Sequence, residues 1–132
     1  MNRPISIIII LLLLTSCLGN KSTFDQNGKI QKLGTPIKLE YFKHVRGKVF
    51  KFSDTATFVI TDQQQLEAVM DEIKNADNPE LWRGVGWNRI RIYYTDTILN
   101  IYTNNKKIGT SSSGRFYDLG KENFITRQIN EK

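Results

Sequence analysis

The sequence Arg89-Ile-Arg-Ile-Tyr-Tyr-Thr-Asp-Thr-Ile-Leu-Asn-Ile-Tyr-Thr103 decides the fold of this 132-residue chain. In its first half, Ile90, Ile92 and Tyr94 occupy alternate positions, the two-residue period of a strand with one buried face. A short polar segment then interrupts a second run rich in β-branched and aromatic residues. We therefore predict two antiparallel strands joined by a turn, with the isoleucines facing a core.

Further strands are predicted on both sides of this pair. Asn104-Asn105 favours a tight hairpin turn, because asparagine tolerates the positive φ that such turns require. Apolar and polar positions also alternate before the helix, where Ile37, Leu39 and Tyr41 occupy one face. The additional predicted strands span residues 36–42, 49–52, 107–110 and 115–119, and residues 55–60 either continue the 49–52 strand or form a separate strand after a break.

One amphipathic helix is predicted between the two groups of strands. Thr61 and Gln64 have the spacing of a capping box, in which each side chain satisfies a backbone donor of the other residue. The positions i, i+3, i+4 and i+7 that follow form one apolar stripe, consisting of Leu66, Val69, Met70 and Ile73. Asn78 before Pro79 disfavours α geometry and ends the helix. We predict a single α+β domain in which five to six antiparallel strands carry this helix on one face.

The first seventeen residues combine a positive Arg3, an apolar run over residues 5–14 and small residues before a cysteine. This order resembles the signal peptide of bacterial lipoproteins, with Leu14-Thr15-Ser16-Cys17 matching the lipobox. The resemblance implies cleavage before Cys17, diacylation of its thiol and anchoring to the membrane through that lipid. It divides the chain into a signal peptide (1–16), a lipidated cysteine with a flexible tether (17–35) and a globular domain (36–132).

This segment has two alternative interpretations. A signal anchor would need about 20 apolar residues, twice the length of this run. A plain secretory signal would leave the chain's one cysteine as a free thiol in an oxidising compartment. In enterobacterial sorting, an aspartate directly after the lipidated cysteine signals retention. In this chain the residue after Cys17 is Leu18. By that resemblance we expect the outer membrane if the cell has two membranes, and otherwise the outer leaflet of the cell membrane.

Composition narrows the class of partner. The chain has 19 Lys and Arg residues against 13 Asp and Glu residues, a net charge of +6. A basic domain suits anionic lipid, lipopolysaccharide or an acidic polymer as a neighbour, although charge also serves solubility. Nucleic acid is not expected as a partner of an exported, lipid-anchored protein.

Residue types argue against catalysis. His44 is the only histidine, so a site needing two imidazoles is excluded, and Cys17 is expected to be acylated. We predict no cofactor, no metal site and no enzymatic activity, and expect His44 to be a solvated turn residue. A paired-carboxylate hydrolase stays open as an alternative, built from Glu40, Asp54, Asp96 or Asp118.

Two surfaces are candidate binding sites. In the first, Trp82, Arg83 and Trp87 combine the residue types that dominate interface hot spots, although both tryptophans also suit a core. The second is the row opposite the isoleucines, where cations and an aromatic ring share the open face of a strand. It consists of Arg89, Arg91 and Tyr93, and its alternative is an ordinary solvated sheet face.

These observations favour a non-enzymatic binding module that recognises a protein or an envelope polymer. One version is an inhibitor or immunity-type protein that neutralises a toxin or hydrolase at the envelope. The alternatives are a structural or assembly accessory of an envelope complex, and a glycan- or lipid-binding lipoprotein that uses Trp82 and Trp87.

Overall fold

The computed structural model describes residues 33–81, 87–110 and 114–131, which form an antiparallel sheet of seven strands and two helices. The elements in chain order are β1 (Lys38–Phe42), β2 (Phe58–Ile60), α1 (Gln63–Lys74), β3 (Asp77–Leu81), β4 (Asn88–Tyr93), β5 (Ile98–Thr103), β6 (Lys107–Thr110), β7 (Arg115–Asp118) and α2 (Phe124–Asn130). The order of strands across the sheet is β2-β1-β4-β5-β6-β7-β3. The predicted α+β class is confirmed, with more strands and one more helix than expected.

The β4–β5 hairpin lies at the middle of the sheet, as its sequence predicts. The two strands pair along six positions, from Asn88 opposite Thr103 to Tyr93 opposite Ile98. On its other side β4 pairs with β1, which precedes it in the sequence by some fifty residues. The chain therefore builds its sheet outward from a local hairpin and one long-range pairing.

One face of the sheet carries the core. Ile90, Ile92 and Ile101 are fully buried, together with Leu39 and Tyr41 of β1. The same buried cluster includes the predicted apolar stripe of α1, namely Leu66, Val69, Met70 and Ile73. Leu33, at the end of the predicted tether, also packs against this cluster. Burying an aliphatic side chain of this size contributes about 1.5–3 kcal/mol, so this face provides most of the stability.

The ends of α1 differ slightly from the prediction. The N-cap is Asp62 rather than Thr61, and its carboxylate Oδ2 accepts a hydrogen bond from the Gln65 backbone N–H at 3.0 Å. The aspartate side chain satisfies a backbone N–H donor at the helix N-terminus, and its negative charge interacts favourably with the positive end of the helix dipole. The helix ends at Lys74, with Asn75 as its C-cap.

The turn between β5 and β6 confirms the predicted asparagine hairpin. Asn105 has a φ of 77°, the left-handed conformation that asparagine tolerates. The Asn104 side chain Oδ1 accepts from the backbone N–H groups of Lys106 and Lys107 at 3.0 and 2.7 Å. The turn is therefore stabilised by its own side chains.

The structure differs from the predicted secondary structure in four places. Residues 49–52 form no strand: residues 46–50 are turn or bend, and Phe52 makes only an isolated bridge with His44. The strand predicted over 55–60 is shorter and covers only β2. Two elements were missed, namely the edge strand β3, all of whose residues are exposed, and the helix α2.

α2 depends on contacts made far away in the sequence. Asn123 is its N-cap, and the Asn123 Nδ2 group also donates to the Asn105 carbonyl at 2.8 Å. From α1, Glu72 Oε2 accepts from the Phe124 backbone N–H at 2.8 Å, and Glu72 forms an ion pair with Arg127. These contacts hold a seven-residue helix that is too short to form alone.

Candidate functional site

The predicted cationic row of β4 lies on the face of the sheet opposite the core. Arg89, Arg91 and Tyr93 are half-buried and alternate with the fully buried Ile90 and Ile92. The β1–β4 register places opposite them, in the same order, Phe42, Glu40 and Lys38. The alternation on two neighbouring strands therefore brings cations and aromatic rings onto one surface.

The loop between β1 and β2, residues 43–57, approaches the same surface. It is closed by an antiparallel bridge between His44 and Phe52, and by a 2.8 Å hydrogen bond that the Val45 N–H donates to the Lys51 carbonyl. This closure places the Phe52 ring next to β4. The loop thus provides one wall for a depression whose floor is the sheet.

The depression is an open pocket of about 560 Å³, which we call the arginine pocket. Its floor comes from β1 and β4, and its wall comes from the β1–β2 loop. The residues that line it are Glu40, Phe42, Phe50, Lys51, Phe52, Ser53, Asp54, Ala56, Arg89, Arg91 and Tyr93. All three residues of the predicted row therefore line one cavity.

The guanidinium of Arg89 is enclosed by aromatic rings. Its Cζ lies 4.4 Å from the centre of the Phe52 ring and 5.2 Å from that of Phe42. The Cζ of Arg91 lies 5.8 Å from the Phe42 ring. Cation–π contacts of this kind stabilise a guanidinium through its face and leave its N–H edge for an acceptor.

Both arginines keep a buried donor without an acceptor. The Nε atoms of Arg89 and Arg91 are inaccessible to solvent and have no hydrogen-bond partner. Burial lowers the pKa of Arg89, and the neighbouring charge of Arg91 lowers it further. Because Nε is closed to solvent, a group that enters the pocket would meet the other four N–H donors of each guanidinium.

The carboxylates of the pocket do not cancel its cations. Glu40 forms its ion pair with Lys38, with 4.0 Å between Nζ and Oε1, and the ammonium of Lys38 also lies 4.4 Å from the centre of the Tyr93 ring. Three cationic side chains line the cavity against two carboxylates, those of Glu40 and Asp54. The pocket is therefore amphipathic, with a positive excess. Asp96 and Asp118, the other two candidate carboxylates, are not among its lining residues.

The predicted tryptophan surface is only partly visible. Trp82 and Arg83 lie outside the described residues. Trp87 is half-buried, and its ring centre lies 4.9 Å from that of Phe116 on β7. Trp87 does not line the arginine pocket, so the structure does not bring it together with Arg89, Arg91 and Tyr93.

The histidine is not the solvated residue that the sequence predicts. His44 is half-buried, its ring lies edge-on to Phe52 at 6.1 Å, and its Nε2 is buried without a hydrogen-bond partner. Among the residues that the structure describes, no group of three or more His, Cys, Asp or Glu side chains is arranged to hold a metal ion. Cys17, with the predicted signal peptide and most of the tether, lies outside the described residues.

Sequence reasoning missed the aromatic residues of the pocket. Alternation along β1 places Phe42 on its polar face, but it does not show that β1 pairs with β4. The residue types of Phe50 and Phe52 predict a strand, whereas both lie in a loop. The sequence signal for them is Phe42 itself. A large aromatic side chain on the polar side of β1 is buried only if other residues of the chain pack over that face of the sheet.

No helix in the described part of the chain is long and apolar enough to cross a membrane. Comparison with protein-family models, with curated proteins and with solved structures finds no match to this chain.

Proposed function

We propose that this chain is a lipid-anchored, non-enzymatic binding module of the bacterial cell envelope, and that the arginine pocket binds an anionic group of its partner. The observation that carries the proposal is the lining of one open cavity by Arg89 and Arg91 beside aromatic rings, with three cationic side chains against two carboxylates. The partner is a protein or an envelope polymer, and the inhibitor or immunity-type role is one form of this function.

The chemistry of the pocket supports a binding role. Guanidinium groups bind carboxylates and phosphates through directed N–H bonds, which gain strength where water is excluded. The aromatic walls add apolar contact area beside those donors. Arginine and aromatic residues that lie together in a concavity are the composition typical of interface hot spots.

The lipid anchor in this proposal rests on the lipobox at residues 14–17 and on Cys17 being the one cysteine in the chain. Two acyl chains bind a membrane far more firmly than a single chain does. Cys17→Ala is expected to abolish labelling by a clickable fatty acid and to block maturation. Unchanged labelling would contradict the anchor without bearing on the pocket.

The pocket is tested by crosslinked affinity purification of the intact protein from its own cells. Arg91→Glu reverses one charge of the pocket and should abolish recovery of the partner, whether that is a single protein or an anionic polymer. The matched control is Lys121→Glu, an equal change at an exposed residue outside the pocket. Circular dichroism should show that both variants are folded. Equal recovery with both variants would overturn the assignment of the site.

A further inference from the structure

The middle of the β1–β2 loop contains two exposed apolar residues with cationic residues on both sides in the sequence. Val49 and Phe50 keep 66% and 70% of their surface exposed. The cations of the same loop are also exposed, and they are Lys43, Arg46, Lys48 and Lys51. Residues 43–53 contain no aspartate or glutamate. We call residues 43–51 the basic tip.

The backbone of the tip holds Phe50 in an uncommon conformation. Its φ is 57°, in the left-handed region that phenylalanine rarely adopts because its Cβ then approaches the following carbonyl oxygen. A more permissive residue such as glycine would avoid that contact. An exposed aromatic ring in a strained backbone is the kind of outlier from which a role in binding is inferred.

We propose that the basic tip docks onto an anionic lipid surface, with Val49 and Phe50 entering the headgroup region and the four cations contacting the phosphates. Each lysine or arginine near such a surface contributes roughly 1 kcal/mol, and exposed apolar side chains add to this on insertion. The tip uses neither Arg89 nor Arg91, so this inference goes beyond the proposed function.

The composition of the tip favours lipid over protein as the occupant. Three of its four cations are lysines, which are depleted in protein–protein interfaces but well suited to an anionic membrane. Two apolar side chains provide too little area for the core of a stable protein interface. The predicted lipid on Cys17 would also hold the tip close to a membrane, which raises its effective concentration there.

Docking would set the orientation of the domain. Phe50 and Lys51 belong both to the tip and to the wall of the arginine pocket. A docked tip would therefore keep the mouth of the pocket close to the membrane surface.

The test measures vesicle flotation of the mature chain, residues 17–132, carrying Cys17→Ser so that no acyl chain contributes. We expect binding to vesicles of phosphatidylcholine mixed with phosphatidylglycerol, weaker binding as salt rises, and little binding to phosphatidylcholine alone. Arg46→Gln with Lys48→Gln should lower the partition coefficient on the order of 25-fold, about fivefold for each cation. The control is Lys106→Gln with Lys121→Gln, which has the same net charge and should bind nearly as the parent does.

The apolar contribution has its own matched pair. Val49→Ser with Phe50→Asn removes the exposed side chains and keeps a residue that tolerates the left-handed backbone. Leu81→Asn is the control, because Leu81 is also 70% exposed but lies on the edge strand β3. The tip variant should lose binding to anionic vesicles, and the Leu81 variant should keep it.

Three results would overturn the inference. These are equal binding to both kinds of vesicle, equal losses in the tip and control variants, and absence of vesicle binding by the parent chain. A negative vesicle result is distinguishable from failure of the proposed function. Recovery of the partner that depends on Arg91 would still support the arginine pocket. Conversely, if Arg91→Glu did not reduce recovery of the partner, vesicle binding that depends on the basic tip would still be valid evidence for docking.

Discussion

Gly109 provides the sharpest test of the packing between β6 and β7. It lies in register between Tyr102 of β5 and Phe116 of β7. A Cβ atom at this position would lie 2.4 Å from the Arg115 carbonyl oxygen and 3.0 Å from both Cα and Cβ of Phe116. Ordinary carbon–oxygen contacts between strands are about 3.3–3.6 Å, so Gly109→Ala must push the two strands apart by about 1 Å.

The cost follows from the atoms involved. The nearest contact is with backbone, so no side chain can rotate away, and a shift of about 1 Å breaks at least part of a four-residue ladder. Overpacking of this kind costs typically 1–3 kcal/mol, against which alanine in a strand regains roughly 0.5–1 kcal/mol over glycine. We expect a net loss of about 1 kcal/mol, which lowers the melting temperature by about 4–8 °C for a domain of this size.

The assay is thermal and urea unfolding, followed by circular dichroism, of the mature chain carrying Cys17→Ser. Gly120→Ala is the control, because Gly120 has a φ of 90° and no atom within 4 Å of the added Cβ. It should show only the cost of the left-handed conformation, about 1 kcal/mol. If Gly109→Ala unfolds at or above the parent's temperature, the close approach of β7 to Gly109 is refuted, because alanine would then be the better strand residue.

Two further predictions concern the core and the helices. Burial raises the pKa of Tyr41 from 10.0 to about 12, so the unfolded chain loses this proton first. The free energy of unfolding should therefore fall as pH rises through that interval, and urea titrations should show a shallower fall for Tyr41→Phe. Glu72→Ala removes the acceptor of the Phe124 N–H and the partner of Arg127, and should cost about 1–2 kcal/mol. Faster hydrogen exchange in α2 should accompany that loss, and Glu72→Gln, which retains an acceptor, should lose less.

The most accurate sequence predictions concern features with local causes. The alternation of Ile90 and Ile92 with Arg89 and Arg91 depends only on the pleat of a strand, and the structure preserves it. The left-handed Asn105 follows from turn chemistry within a few residues. Neither feature needs information from elsewhere in the chain.

The errors concern features with distant causes. β3 contains Pro79 and two acidic residues, a composition that argues against a strand. It is nevertheless an edge strand, because its backbone pairs with that of β7. Phe52 has the residue type of a strand but lies in a loop, where its ring packs against the guanidinium of Arg89. In both cases the partner lies more than thirty residues away.

Local sequence is sufficient to specify which residues of β4 share a face, because the direction of side chains along a strand repeats every two residues. It also carries the lipobox resemblance that predicts an anchor at Cys17. The cavity lined by Arg89 and Arg91 arises only from tertiary contacts, since it depends on pairing β4 with β1 and on the approach of the β1–β2 loop. Strand pairing is a choice among distant partners made by burial and backbone hydrogen bonds together, so periodicity within one strand does not specify it.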